Sequence, residues 1–136
     1  MENNCLFCKI ADKIISVAEI YEDSTALGFL DINPIAPGHT LVIPKIHAEN
    51  ILDLTDNQIG TLFKAVQNTA SLLQEKLNPQ GFTIGINHGK MGGQMIDHLH
   101  IHIIPRFEGD GGGSLHAVVK NPPSAGLEVI QNKILN

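Results

Sequence analysis

The 136-residue chain holds only two cysteines, no apolar run long enough to cross a bilayer and no excess of basic residues. A transmembrane helix needs roughly 20 consecutive apolar residues, and no segment approaches that. The formal charge of −5 at pH 7 and a pI near 5.7 exclude a general nucleic-acid or membrane-surface binder, which carries a basic patch. A single pocket for an anionic ligand is still compatible with that charge. Met1-Glu2-Asn3-Asn4 has neither a basic segment nor an apolar core behind it, so no secretory leader is expected and the cytoplasm is the expected compartment. There Cys5 and Cys8 are expected to be reduced or metal-bound, not joined in a structural disulfide. With no internal repeat and no low-complexity linker, residues 1–136 are expected to form one domain around one core.

What the chain does have is histidine in register. His98, His100 and His102 alternate with Leu99, Ile101 and Ile103. On a β-strand this places three imidazoles on one face and an aliphatic row on the other.

Around this row the elements read as an antiparallel α+β fold. Residues 17–22 and 26–32 suit two strands about the turn-forming Asp23-Ser24. A loop stiffened by Pro34 and Pro37 leads to a β-branched run, 39–43, ended by Pro44. Thr55 and Gln58 make a capping box, with Leu54 and Ile59 at the staple positions. Behind it Ile59, Leu62, Phe63, Val66, Ala70, Leu73 and Leu77 recur at helical spacing until Asn78-Pro79. Residues 81–87 suit a strand, 88–93 a glycine-rich loop, 98–104 the histidine strand ending at Pro105, 109–113 a flexible loop, and 127–135 a short helix. The expected whole is a sheet of about five strands covered by one main helix.

Three kinds of chemistry compete for the histidine row. It could be a solvated polar face. It could be a metal site, although same-face neighbours sit roughly 6.5–7 Å apart at Cα and the outer pair about 13 Å, which is awkward for one ion. Or one histidine could be a nucleophile while the others bind and polarise the substrate. The last reading explains more: a strand can fix the protonated ring nitrogen on a carbonyl and aim the other at an electrophile. Phosphorus suits it best, since its transfer asks mainly for alignment and for donors near charged oxygens. Gly92-Gly93-Gln94, just upstream, would offer backbone N–H groups to a phosphate.

The run His98-Leu99-His100-Ile101-His102-Ile103-Ile104 resembles the signature of the histidine-triad (HIT) family, with Gly93-Gln94 at the family's upstream distance. Phe29-Leu30-Asp31-Ile32 followed by Pro37-Gly38-His39-Thr40-Leu41-Val42-Ile43-Pro44-Lys45-Ile46-His47 resembles an earlier block of the same family, and Cys5-Leu6-Phe7-Cys8 resembles the opening of many bacterial members. The short chain is most similar to the Hint-like branch. This resemblance implies a nucleotide-binding hydrolase cleaving a nucleoside phosphoramidate or acyl-nucleotide, purine for preference, through a nucleotidyl–His100 intermediate. It implies that the His98 carbonyl holds Nδ1 of His100, that His102 and His39 contact phosphate oxygens, and that Asp31 binds ribose hydroxyls. It further implies that Ile32 packs on the base, that Asn87 and the Gly93-Gln94 backbone line the phosphate site, and that two sheets join in a homodimer.

One position departs from the pattern. Where many Hint-like members carry a small hydroxyl residue after the glutamine, this chain has Met95, which cannot donate a hydrogen bond to a leaving group. Slower turnover or a different leaving group is expected. Dinucleoside polyphosphate cleavage by the same route, or nucleotide binding with vestigial catalysis, are the alternatives, and a catalytic metal on the histidines a further one.

Cys5-x-x-Cys8 alone could be a redox pair, a chance pair or half a zinc site. No thioredoxin-like strand precedes it, which disfavours redox chemistry. Zinc would need two further ligands, and the resemblance implies His47 and His98, in a structural site tying the N-terminus to the histidine row. His88, beside the glycine loop, could touch substrate or be solvated. No role is expected for His116 or Asp97, and Lys45 and Arg106 are expected to be surface charges. Phe7, Phe29, Phe63 and Leu77 are expected in the core or an interface.

Overall fold

The computed structural model describes residues 4–136. Met1, Glu2 and Asn3, part of the segment expected to carry no leader, lie outside the described residues. Five strands form one antiparallel sheet: β1 (Glu19–Glu22), β2 (Ala26–Leu30), β3 (Thr40–Pro44), β4 (Gly81–Gly85) and β5 (Ile101–Arg106). Their order is β1-β2-β3-β5-β4. The last strand in sequence is therefore an inner one, paired on both sides, with Leu41 and Gly85 opposite His102. Pairing to β3 ends at Ile103 opposite Thr40, so Pro105 sits where a missing N–H is tolerated. The strand runs one residue beyond the expected stop.

The main helix, α2 (Asp56–Leu77), starts where its sequence says it should. Gln58 N donates to Thr55 Oγ1 at 3.2 Å and Thr55 N to Gln58 Oε1 at 2.9 Å, a capping box. Asn78, in the left-handed region at φ 51°, closes it. Leu62, Ala65, Val66 and Leu73 pack on Ala26, Val42, Leu99, Ile101 and Ile103. Leu62, Leu99, Ile101 and Ile103 are all but inaccessible, each contributing roughly 1.5–3 kcal/mol. That aliphatic row anchors the histidines from behind. The opposite face of the sheet carries Leu27, Phe29, Leu41 and Ile43 under a short helix, α1 (Leu6–Ala11), through Phe7, Ile10 and Ala11. Six residues are too few for a helical period to show in the sequence of α1; Cys5 caps it, its Sγ accepting from Cys8 N at 3.4 Å.

Several expectations need correction. β5 begins only at Ile101, so His98, in a bend, and His100 lie in the irregular segment before the strand, and the Leu99 N–H donates outside the sheet, to Ala48 O at 2.7 Å. The alternation of faces survives because Leu99 is buried with Ile101 and Ile103. The 109–113 loop is tied down rather than left open: Arg106 bonds both Asp110 oxygens, at 2.7 and 3.1 Å, and Gly113 O at 2.7 Å. That guanidinium, with the Gly112 and Phe107 amides, holds the Asp110 carboxyl well below the usual carboxylate range. Phe7 and Phe29 lie in the core, whereas Phe63 and Leu77, each 42 % exposed, lie outside it, which leaves for them the interface that was the other expectation. α3 (Leu127–Leu135) forms as expected but buries none of its side chains in this chain. No helix among the described residues is long and apolar enough to cross a membrane.

Candidate active site and metal centre

The histidines of the row fall into two groups on either side of Phe7. Its ring meets His98 edge-on at 5.9 Å and His100 at 5.0 Å. Phe7 thus separates two sites, a role its place between Cys5 and Cys8 could have suggested.

On one side, Cys5 Sγ, Cys8 Sγ, His47 Nδ1 and His98 Nδ1 lie within 4.8 Å of one another. Cys5 Sγ is 3.3 Å from His98 Nδ1, and Cys8 Sγ is 3.3 Å from His47 Nδ1 and 3.5 Å from His98 Nδ1. Zinc–sulfur bonds of about 2.3 Å and zinc–nitrogen bonds of about 2.1 Å at tetrahedral angles give a sulfur–nitrogen edge of about 3.6 Å. The donor set and its spacing fit a tetrahedral ion. His98, wholly buried, donates from Nε2 to Pro44 O at 2.9 Å, which leaves the lone pair on Nδ1, toward the sulfurs. Burial pushes His98 down to about 4 against the pull of that carbonyl, so the ring is neutral, as a ligand must be. Neither cysteine forms a disulfide.

On the other side, His100 donates from Nδ1 to His98 O at 2.8 Å. In the neutral ring, this leaves the lone pair on Nε2. His102, half-buried, stands beside it with ring centroids 5.3 Å apart. His102 Nδ1 is 2.9 Å from His39 Nε2, and His39 Nδ1 accepts from the Ile35 N–H at 3.2 Å. The Asp31 carboxylate is 3.6 Å from His39 Nε2, while its other oxygen accepts from Asn33 N at 2.9 Å. Burial lowers His39, opposed by Asp31, and pushes His102 down to about 4. Asp31, His39 and His102 also lie close enough together to suggest a second metal cluster. The Ile35 amide argues against one: with Nδ1 of His39 accepting, an ion on Nε2 would leave the ring no proton at all. A cavity of about 460 Å³ opens beside His39, lined by Asp31 and the 34–38 loop. Ile32, the residue after Asp31, is 85 % exposed and is not among the residues lining the cavity.

The glycine loop differs from expectation. Gly92 N and Gln94 N both donate to Gly89 O, and Gly93 N to Lys90 O, each at 3.0 Å. The Gln94 side chain, buried, bonds Glu49 O, Ile96 O and the Gly89 N–H. The expected presentation of the Gly92-Gly93-Gln94 amides to a phosphate is thus corrected: a tight turn has already engaged them. Asn87 lies against Gly93, whose φ of 97° demands glycine. Met95 is 89 % exposed, and His88 and His116 are exposed. Lys45 pairs with Glu22 at 2.7 Å, and Arg106 holds its own loop.

A sequence profile of the HIT domain matches residues 13–109. An uncharacterized HIT-like protein of Methanocaldococcus jannaschii is 44% identical over 117 residues, 86% of this chain and 90% of that one. The adenylylsulfatase HINT3 of Arabidopsis thaliana is 34% identical over 110 residues, 81% of this chain and 56% of its own. Among solved structures, a HIT family protein from Bacillus anthracis matches with TM-score 0.85 and 38% identity over 99% of this chain and 95% of that one. A zinc-bound histidine triad family protein from Mycobacterium smegmatis matches with TM-score 0.75 and 38% identity over 79% and 78%. With the histidine row, the five-stranded sheet and these likenesses agreeing, the chain belongs to the HIT family.

Proposed function

We propose that this protein is a Hint-like nucleotide-binding hydrolase in which His100 Nε2 attacks the α-phosphorus of an adenylyl compound. The observation that carries this reading is the 2.8 Å bond from His100 Nδ1 to the His98 carbonyl, which frees the opposite nitrogen to bond. In the first step the nitrogen–phosphorus bond forms while the bond to the leaving group breaks and its electron pair departs with it. Water then attacks the phosphorus of the nucleotidyl–His100 intermediate, the imidazole leaves, and a nucleoside monophosphate is released. His102 donates to a phosphoryl oxygen as charge gathers there, and Asp31 and Ile32 receive ribose and base beside the cavity.

The leaving group follows from Met95. An amine departs only when protonated, and a thioether has no proton to give. Sulfate, carboxylate or phosphate needs none. We therefore favour mixed anhydrides of adenylate over phosphoramidates, and the adenylylsulfatase among the relatives supports that preference. Cys5, Cys8, His47 and His98 hold a structural zinc, which ties α1 to the backbone that orients His100; the zinc-bound relative supports this. The uncharged β4 edge supports a homodimer joined there; the other edge, β1, is guarded by a bulge and by Glu19 and Glu22.

Rapid acid-free quenching after mixing with adenosine phosphoramidate or adenylyl sulfate, followed by mass spectrometry, tests the mechanism. A base-stable, acid-labile nucleotidyl adduct on His100 is expected. Turnover with no adduct on any histidine would end the proposal. kcat/KM should favour the anhydride, and Met95→Ser should narrow the gap.

A further inference from the structure

His100 and His102 are neighbours, yet their hydrogen bonds make them chemical opposites. His100 Nδ1 faces a carbonyl and must carry the ring proton there. His102 Nδ1 faces another ring nitrogen, His39 Nε2, and which of the two donates is settled one bond further out. The Ile35 N–H donates to His39 Nδ1, so that nitrogen holds a lone pair. A neutral imidazole has one proton. It must therefore sit on His39 Nε2, which makes His102 Nδ1 the acceptor and sends the His102 proton to Nε2. Burial supports the premise of neutrality, since it lowers both rings below the usual histidine range.

We propose that His39 is a positioning residue that relays the polarity of the Ile35 amide to His102, fixing His102 as an N–H donor beside the lone pair of His100. Only 4 % exposed and with both ring nitrogens engaged, His39 has no atom left for the phosphate contact expected of it. The loop is built to aim that amide. Pro34 and Pro37 restrict its backbone, and His39 N donates back to Ala36 O at 3.1 Å, folding Ile35 over the ring. The inference rests on the proposed function only for the use of the donor. An N–H on His102 Nε2 attracts a phosphoryl oxygen, whereas the other tautomer would turn a second lone pair toward it.

Long-range proton–nitrogen NMR of the 15N-histidine protein, without substrate, reads each tautomer directly. The expected result is protonated Nε2 on His39 and His102 and protonated Nδ1 on His100. His39→Leu removes the donor, and Ile35→Pro, at a 74 % exposed side chain, removes the amide proton while fixing φ at that position. Each should turn His102 into a mixture of tautomers and lower kcat about tenfold with KM changed less than about threefold. His39→Gln, whose amide nitrogen can reach the place of Nε2, should restore the single tautomer and most of kcat. A proton on His102 Nδ1 in the wild-type protein, or a His102 tautomer unmoved by both His39→Leu and Ile35→Pro, overturns the relay. A relay present in a protein that turns over no adenylyl compound supports this inference and counts against the proposed function alone.

Discussion

His98 and His102 sit four residues apart on one face of the same segment, yet the fold uses them in opposite ways. His98 is fully buried, its Nε2 taken by Pro44 O and its Nδ1 turned to two sulfurs. His102 is half-buried, and its Nδ1 is held by His39 while Nε2 is left over. The same side chain thus becomes a ligand in one place and a donor in the other, and what decides is the main-chain group that each network ends on: a carbonyl from Pro44 or an amide from Ile35. His100, between them, ends on a third, the His98 carbonyl. Tautomer assignment in this protein is a property of backbone placement more than of the histidine spacing.

The sharpest way to break the division is to remove a member from each side. His100→Ala should lower kcat by at least roughly 10⁴-fold, while zinc content, thermal stability and nucleotide affinity stay near wild type. Loss of zinc in that variant would mean that the two groups are one site. His47→Ala should do the reverse: the zinc measured per chain should fall toward zero, and the thermal midpoint should drop by roughly 10 °C or more. Unchanged zinc stoichiometry would remove His47 from the ligand set. Chelation of the wild-type protein should reproduce the His47→Ala midpoint without abolishing chemistry in whatever fraction stays folded.

The division also explains what could be read from residues alone. Local signals were legible: the Thr55–Gln58 capping box, the 3.6-residue period of α2, and the alternation of the triad, because each depends on neighbours in sequence. The meeting of Cys5 and Cys8 with His47 and His98 was expected only through the family resemblance, since spacing says nothing of chain segments about 40 and 90 residues apart. Three features were beyond reach. α1 is shorter than the period that reveals a helix. The glycine loop reads as open to phosphate, but its amides close on Gly89 and Lys90, a choice of turn made by φ angles that composition does not state. The Ile35 amide is a main-chain group with no side-chain signature, and its direction exists only after the 34–39 loop has folded.

Gly38 offers a smaller perturbation that falls on one side of the division only. It sits at φ +83°, and a Cβ there would lie 2.5 Å from Leu77 Cδ1 and 3.2 Å from Pro105 Cγ. Gly38→Ala should cost about 2 kcal/mol from the left-handed backbone and the crowding together, read from denaturant midpoints at constant slope. Because His39 follows directly, kcat should fall several-fold while zinc binding is unchanged. Wild-type stability in Gly38→Ala would show that the loop relaxes freely and cannot hold the Ile35 amide in register.

Acid should have the smallest effect, and its sign is fixed by burial. His102 is held down at about 4 by burial, next by the neighbouring rings of His100 and His39, against Asp31, while an unfolded histidine titrates near 6.5. Between those values the unfolded chain binds a proton that the folded ring refuses. Stability contributed by the neutral ring is complete above about pH 6.5 and declines as pH falls toward 4. Ring NMR should accordingly show His102 neutral through pH 6. The drop in thermal midpoint between pH 6.5 and 4.5 should shrink by roughly 3 °C in His102→Gln. His98 makes a similar refusal, but its acid response is entangled with release of any bound metal, so the variant at His102 isolates the reacting side. A His102 midpoint above about 7.5 would mean that its ring is charged when a phosphate arrives at neutral pH. Both its nitrogens would then be donors, His39 would have to accept, and the polarity drawn from the Ile35 amide would lose its purpose.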